Sequence, residues 1–193
     1  MKIEDLFLIL QSEKPSILIK KHEKEIFKLI PDLEKCKGFD QNNDWHIYDV
    51  YEHILHVIDN TDNVLELRLA ALFHDIGKPY TYSVDENGVG HFYNHWAVSM
   101  NIFNSFASNK NLDNELKEKV SKLIFYHDMN LLKVDSDTLY EFKSIFDNYE
   151  LRLLFNLKRA DLLAQNSKYT YFLNNIEEQE NSIKNLTNSQ KVL

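Results

Sequence analysis

Residues that break helices are scarce in this chain. Its 193 residues include four glycines and three prolines. That scarcity excludes a many-turned β-sandwich, which needs a turn signal roughly every 8–12 residues, and predicts long helices instead. Cysteine is scarcer still. Cys36 stands alone, so no internal disulfide framework can form, which fits a reducing compartment. No uninterrupted apolar run approaches the roughly 18 residues that a membrane helix needs. The opening Met1-Lys2-Ile3-Glu4-Asp5 carries acid where a signal peptide carries positive charge, and no small-residue cleavage site follows. The expected location is the cytoplasm. Positive charge is also short: 22 Lys and Arg face 30 Asp and Glu, for a net charge of -8. This weighs against tight binding to long nucleic acid, where lysines and arginines must neutralise phosphates. It leaves a small phosphorylated substrate open, because a bound divalent cation reverses the local field of an acidic protein.

Apolar residues are plentiful, at 44%. They can fill the core of one domain, or of one domain with a helical arm. The expected organisation is an N-terminal helical extension over residues 1–40, then a domain over 41–193. Amphipathic helices are predicted at 3–11 and 16–30, the second interrupted by Pro31-Asp32. A polar connector from Gly38 to Asp44 leads to a helix over 49–60 with Asp49 as its N-cap. The stretch 64–76 is apolar almost all round and reads as a buried central helix, with Gly77 placed as its C-terminal cap and Pro79 blocking its resumption. Asn87-Gly88 marks an exposed turn or small hairpin within 80–90. Further helices are predicted at 94–108, 113–127, 137–147, 149–166 and 170–187. The Asn- and Glu-rich stretch after Asn174 reads as a solvated face. The fold class expected is all-α.

Five helices each bring a histidine or aspartate onto an apolar stripe. His53 lies among Val50, Ile54 and Val57. His74, with Asp75 beside it, ends the run Leu67, Ala70, Ala71. His95 begins the stripe Val98, Ile102, Phe106. His127 ends the stripe Leu116, Val120, Leu123, Ile124, and Asp161 follows Leu154 and Leu157. Burying one such group is costly unless it is paired, and a single buried histidine usually bonds a carbonyl. Five converging groups make sense when one cation satisfies them together. Imidazole and carboxylate suit Mn, Fe, Co, Ni or Zn, and the absence of nearby cysteines argues against a structural thiolate zinc site.

The segment Leu72-Phe73-His74-Asp75-Ile76-Gly77-Lys78 resembles the His-Asp signature of the HD phosphohydrolase superfamily. His53 upstream and Asp161, within Arg159-Ala160-Asp161, complete that family's H…HD…D order. A closer resemblance over residues 30–168 is to the HD domain of bacterial tRNA nucleotidyltransferases, the CCA-adding enzymes and related poly(A) polymerases. It is carried by Ile30-Pro31-Asp32-Leu33, Asp40-Gln41-Asn42, His46-Ile47-Tyr48-Asp49-Val50-Tyr51-Glu52-His53 and His91-Phe92-Tyr93-Asn94-His95. The nucleotidyltransferase head, with its Gly-rich segment and paired aspartates, has no counterpart in the preceding 40 or so residues. The expectation is a stand-alone HD domain with an N-terminal helical extension.

The resemblance implies an all-α bundle and a metal-dependent phosphohydrolase, a phosphomonoesterase or phosphodiesterase acting on a nucleotide or cyclic phosphate. The alternative is a non-catalytic metal-binding, RNA-binding or partner-binding module. It also implies that His53, His74, Asp75 and Asp161 ligate a first divalent metal, which would polarise a phosphoryl oxygen and activate a water. Mg joins the candidate ions, and one or two are expected. His95 and His127 stand where two-metal members supply further histidines, with Asp75 as the bridge. Otherwise they bind phosphate as cations or shuttle a proton. Asp128 is a candidate general base, an orienting partner for His127, or a solvent-exposed carboxylate. Lys78 either reaches the substrate phosphate or pairs with a helix C-terminus. Arg159 either contacts phosphate or bridges to Asp75 or another carboxylate. His91 is placed near the substrate mouth, His56 as an outer partner of His53, His46 in a loop, and His22 at the surface. Phe103, Phe106, Phe125 and Tyr126 read as core.

Overall fold

The structure, a computed structural model, describes residues 1–129 and 142–189. It is all-α. Helices α1 (Ile3–Leu10), α2 (Pro15–Lys21), α3 (Glu23–Leu29) and α4 (Pro31–Glu34) precede α5 (Val50–Asn60) and α6 (Leu65–Phe73). Then come α7 (Lys78–Thr81), the two-residue strands β1 (Ser83–Val84) and β2 (Gly90–His91), α8 (His95–Asn109) and α9 (Asn114–Tyr126). Helix α10 (Asn148–Leu163), a 3-10 helix (Ser167–Phe172) and α11 (Leu173–Ser189) close the described chain. The helix expected at 137–147 falls largely outside the described residues; 142–145 are helical. Among the described residues no helix is long and apolar enough to cross a membrane.

Helix α6 is the axis of the fold. Leu67 through Phe73 are all buried, and α1, α5, α8, α9 and α10 pack around them. One member of that run is charged. Arg68 projects from the central helix into the end of α1, where its guanidinium bonds the carbonyls of Leu10 and Ser12. Carbonyls at a helix end lack intrahelical donors, so the arginine satisfies them and ties the N-terminal helices to the core. Leu6, Leu10, Ile19, Ile26 and Leu33 belong to the same continuous apolar cluster as Ile54, Leu72 and Leu154.

Several local expectations needed correction. The helix expected at 16–30 breaks at His22, so α2 packs on α5 while Phe27 of α3 meets Tyr51 edge-on. Pro31 opens α4 rather than merely ending a helix. Gly77 is not a left-handed cap: its φ is -80°. Its value is close approach. A Cβ there would meet His95 O at 2.6 Å and Ser99 N at 2.7 Å, and the Gly77 N–H bonds Ser99 Oγ at 2.9 Å. Pro79 sits in the first turn of α7, where a missing N–H costs nothing. On α8 the buried stripe is His95, Ser99, Phe103 and Phe106, because the bare backbone at Gly77 admits the Ser99 side of the helix; Val98 and Ile102 are half-buried. The small hairpin forms as expected, with Gly88 at φ 79° and Asp85 accepting the N–H groups of Asn87 and Val89.

Replacing Arg68 with alanine should therefore destabilise the fold by about 2 kcal/mol, the scale of lost charge-assisted bonds to buried carbonyls. Urea unfolding checks this. An unchanged midpoint would show that α1 is held by its apolar face alone.

Candidate metal centre

The site lies where helix ends meet. Helix α5 begins with Asp49, whose side chain accepts the Glu52 N–H at 2.7 Å and sets the helix phase that turns His53 inward. His74 and His127 are the C-terminal caps of α6 and α9. Each ring Nδ1 lies against the carbonyl three residues earlier, Ala71 O at 2.8 Å and Ile124 O at 2.7 Å. These are last-turn carbonyls in need of a donor. Asn94 takes a left-handed conformation just before α8, with φ 62°, and His95 Nδ1 reaches back to Phe92 O at 2.8 Å. His53 Nδ1 faces Ala164 O, the cap of α10, at a looser 3.4 Å.

A carbonyl only accepts, so each Nδ1 carries the proton and each Nε2 of a neutral ring presents a lone pair. All four Nε2 atoms converge on Asp75, which is 2% exposed. Its Oδ2 lies 3.3 Å from His53 Nε2 and 3.3 Å from His74 Nε2. Its Oδ1 lies 3.2 Å from His95 Nε2 and 3.6 Å from His127 Nε2. Asp161 Oδ1 adds a contact of 3.0 Å to His53 Nε2 and one of 4.0 Å to His74 Nε2. Two three-residue clusters result: His53, His74 and Asp75, and Asp75, His95 and His127, with one carboxylate common to both.

Electrostatics favour a cation here. The C-termini of α6, α9 and α10 carry partial negative charge into the same space as the two carboxylates. Burial works against the ionised forms of Asp75 and Asp161, yet the surrounding positive and donor groups outweigh it and hold both carboxyls below the usual range. Burial also opposes a charged His53, but Asp161 and Asp75 prevail and raise its pKa to about 9. Burial lowers that of His127. Among the described residues the Nε2 atoms of His53 and His74 are buried without an aligned hydrogen-bond partner, despite their short contacts to carboxylate oxygens. Inward-facing imidazole nitrogens next to ionised carboxylates fit a divalent metal, which would take the place of the His53 proton and complete all of them.

Lys78 is buried and enters the site rather than capping the helix. Its Nζ bonds Asp75 Oδ2 at 2.7 Å and Gln41 Oε1 at 2.7 Å. Arg159 takes its bridging alternative, but to Glu180 at 2.6 Å and not to Asp75. His91 bonds Asp85 at 3.1 Å and lines the cavity mouth, and Asp128 stands exposed on its rim. His56 is not an outer partner of His53: it is exposed and stacks on Tyr48. The cavity itself measures about 330 Å³ and reaches Asp75, Asp161, His95 and His127.

Three contributors escaped sequence reasoning. His46 lies in a loop as expected, yet its ring packs 5.0 Å from that of His53, and burial pushes its pKa down to about 2. Nothing local signals this, since a loop side chain has no periodicity to read. Gln41 likewise comes from the connector. Lys158 was legible in principle, one turn before Asp161 on the same face of α10. Its ammonium is buried, which lowers its pKa to about 8, and it bonds His127 O at 2.6 Å and Met129 O at 2.8 Å. It thereby clamps the helix end that carries His127 to the helix that carries Asp161.

An all-helical protein with a buried His/Asp centre common to two ligand clusters is the class defined by this geometry. The chain belongs to the HD domain family, whose model matches residues 43–150. Members of that family are in general metal-dependent phosphohydrolases. The matched span holds His53, His74, Asp75, His95 and His127; Asp161 joins them through the fold. No curated protein matches the chain.

The raised pKa of His53 and the lowered pKa of Asp161 define a pH window for the metal-free protein. The His53 contribution is fully present below its ordinary value of 6.5 and is lost as pH rises through about 9. The Asp161 contribution is present above its ordinary value of 3.8 and is lost as pH falls. Thermal melts in chelator should therefore show stability declining from pH 6.5 to 9.5, and His53→Gln should flatten that decline. A wild-type melting temperature constant over this range would contradict the assignment.

Proposed function

We propose that this chain is a metal-dependent phosphohydrolase, a phosphomonoesterase or phosphodiesterase that acts on a nucleotide or cyclic phosphate. The observation that carries the reading is the convergence of four Nδ1-anchored imidazoles on the Asp75 carboxylate at the floor of an open cavity. In this scheme His53, His74, Asp75 and Asp161 would hold one divalent ion, and Asp75, His95 and His127 would hold a second. When bound, such ions supply Lewis-acid polarisation of a phosphoryl oxygen and activate water at neutral pH.

The chain's own groups do the rest. Asp128, at the rim, accepts the proton of the attacking water. Lys78 provides positive charge beside the phosphate, and His91 flanks it at the cavity mouth. Arg159, engaged by Glu180, contributes at most to the outer wall. His46, held neutral by burial, accepts from Lys78 at 3.5 Å and aims the ammonium into the cavity. A small substrate suits both the enclosed volume and the net charge of -8, which disfavours long nucleic acid. The motif resemblance to HD domains of tRNA nucleotidyltransferases supports a nucleotide-related substrate, and the single cysteine supports a cytoplasmic setting.

Metal analysis of the purified protein, paired with hydrolysis of a phosphate-ester panel in Mn, Co, Ni and Mg, tests the proposal. Asp75→Ala should lose both ions and all metal-dependent turnover. His127→Ala should keep one ion and lose the other. Bound metal without turnover on any ester would move the protein to the sensing or binding class, and a His127→Ala protein stripped of all metal would end the two-cluster scheme.

A further inference from the structure

A second cavity of about 380 Å³ adjoins the first, with Trp45, His127, Asp128, Asp161 and Gln165 common to both. The phosphate chemistry proposed above uses only the edge that it shares with the first cavity. The rest of its wall is largely apolar, where Trp45 is joined by Met129, Leu162, Phe172 and Ile176. The position of Trp45 is built with care. The indole stacks on Tyr169 with 3.7 Å between ring centroids, and the Trp45 carbonyl accepts the Asn166 N–H at 2.8 Å. Beyond the edge shared with the first cavity, the second is also lined by the polar residues Lys158, Asn175 and Gln179, and two of these have hydrogen-bonding capacity left over among the described residues. Lys158 gives two N–H groups to His127 O and Met129 O, and its third has no acceptor among the described residues. Gln179 Oε1 is buried with no donor among the described residues.

A donor lacking an acceptor and an acceptor lacking a donor, between aromatic and aliphatic walls, define what would satisfy them. We propose that this second cavity is the subsite for the organic part of the substrate, and that it takes a flat heteroaromatic ring offering both a carbonyl acceptor and an N–H donor, the functionality of a nucleobase. The ring lies against Trp45, its carbonyl accepts from Lys158, and its N–H donates to Gln179. The phosphate then falls in the adjoining cavity, so this inference rests on the phosphohydrolase reading for the role of that neighbour. Specificity for the base resides in Gln179, on α11, far from the His/Asp centre in sequence.

Phosphate-free nucleosides test the subsite directly. The full chain, metal-loaded and after chelation, is titrated with each nucleoside and with ribose while tryptophan fluorescence is read; Trp45 and Trp96 are its two tryptophans. At least one nucleoside should quench saturably and ribose should not. Trp45→Phe should remove the quenching. Gln179→Leu should weaken binding about tenfold, as expected for one unmatched hydrogen bond. Ile176→Phe, which fills the cavity, should weaken it further, with helical circular dichroism unchanged in each variant. Absence of saturable quenching by any nucleoside overturns the proposal, as does wild-type affinity in both Gln179→Leu and Ile176→Phe. The nucleosides carry no phosphate, so a protein without phosphoesterase turnover still gives a clear answer here.

Discussion

Burying the carboxylate of Asp75 is the constraint on which this structure depends. An ionised carboxyl removed from water is costly unless charges and donors replace its hydration. Here the replacement comes from four imidazoles and the Lys78 ammonium, drawn from α5, the turn after α6, α7, α8 and the end of α9. Every one of those elements must arrive together, or the carboxylate is left unpaired. The need for a common meeting point explains why α6 is central and why its last turn, rather than its middle, faces the site.

Helix ends serve two purposes in this arrangement. Their free carbonyls fix the protonated nitrogen of His74 and His127, so that the opposite nitrogen faces inward as a lone pair. Their dipoles also add negative potential at the point where the carboxylates already sit. A centre built in this way seeks positive charge, whatever the net charge of the whole protein. Lys78 answers part of that demand within the chain itself, and the unaligned nitrogens of His53 and His74 show that part of it is left over.

Ties between helices keep the centre in register. Arg68 links α6 to the carbonyls of the N-terminal helix end, and Lys158 links α10 to the end of α9. Both are long cations, Arg68 buried and Lys158 half-buried with its ammonium turned inward. Each spends its charge on backbone carbonyls at a helix end. The close approach at Gly77 has the same effect, since only a residue without a side chain lets α8 bring His95 against Asp75.

Much of this was legible in the chain itself. Few glycines and prolines meant helices, and the 3.6-residue stripes placed His53, His74, His127 and Asp161 on buried faces, because burial and helical period are local properties. The order of His53, the His74–Asp75 pair and Asp161 identified the family for the same reason: the ligands sit on regular elements. Periodicity misplaced the stripe of α8 by one residue and misread Gly77 as a cap, because both depend on how closely two distant segments pack. It could not see His46 or Gln41, which reach the centre from irregular backbone, or tell that Arg159 would meet Glu180 rather than Asp75. The sequence by itself determined the all-helical class, most of the helices and most of their apolar stripes. Only the tertiary structure decided which nitrogen each histidine presents and that a second cavity opens beside the first, since both follow from contacts between residues far apart in the chain.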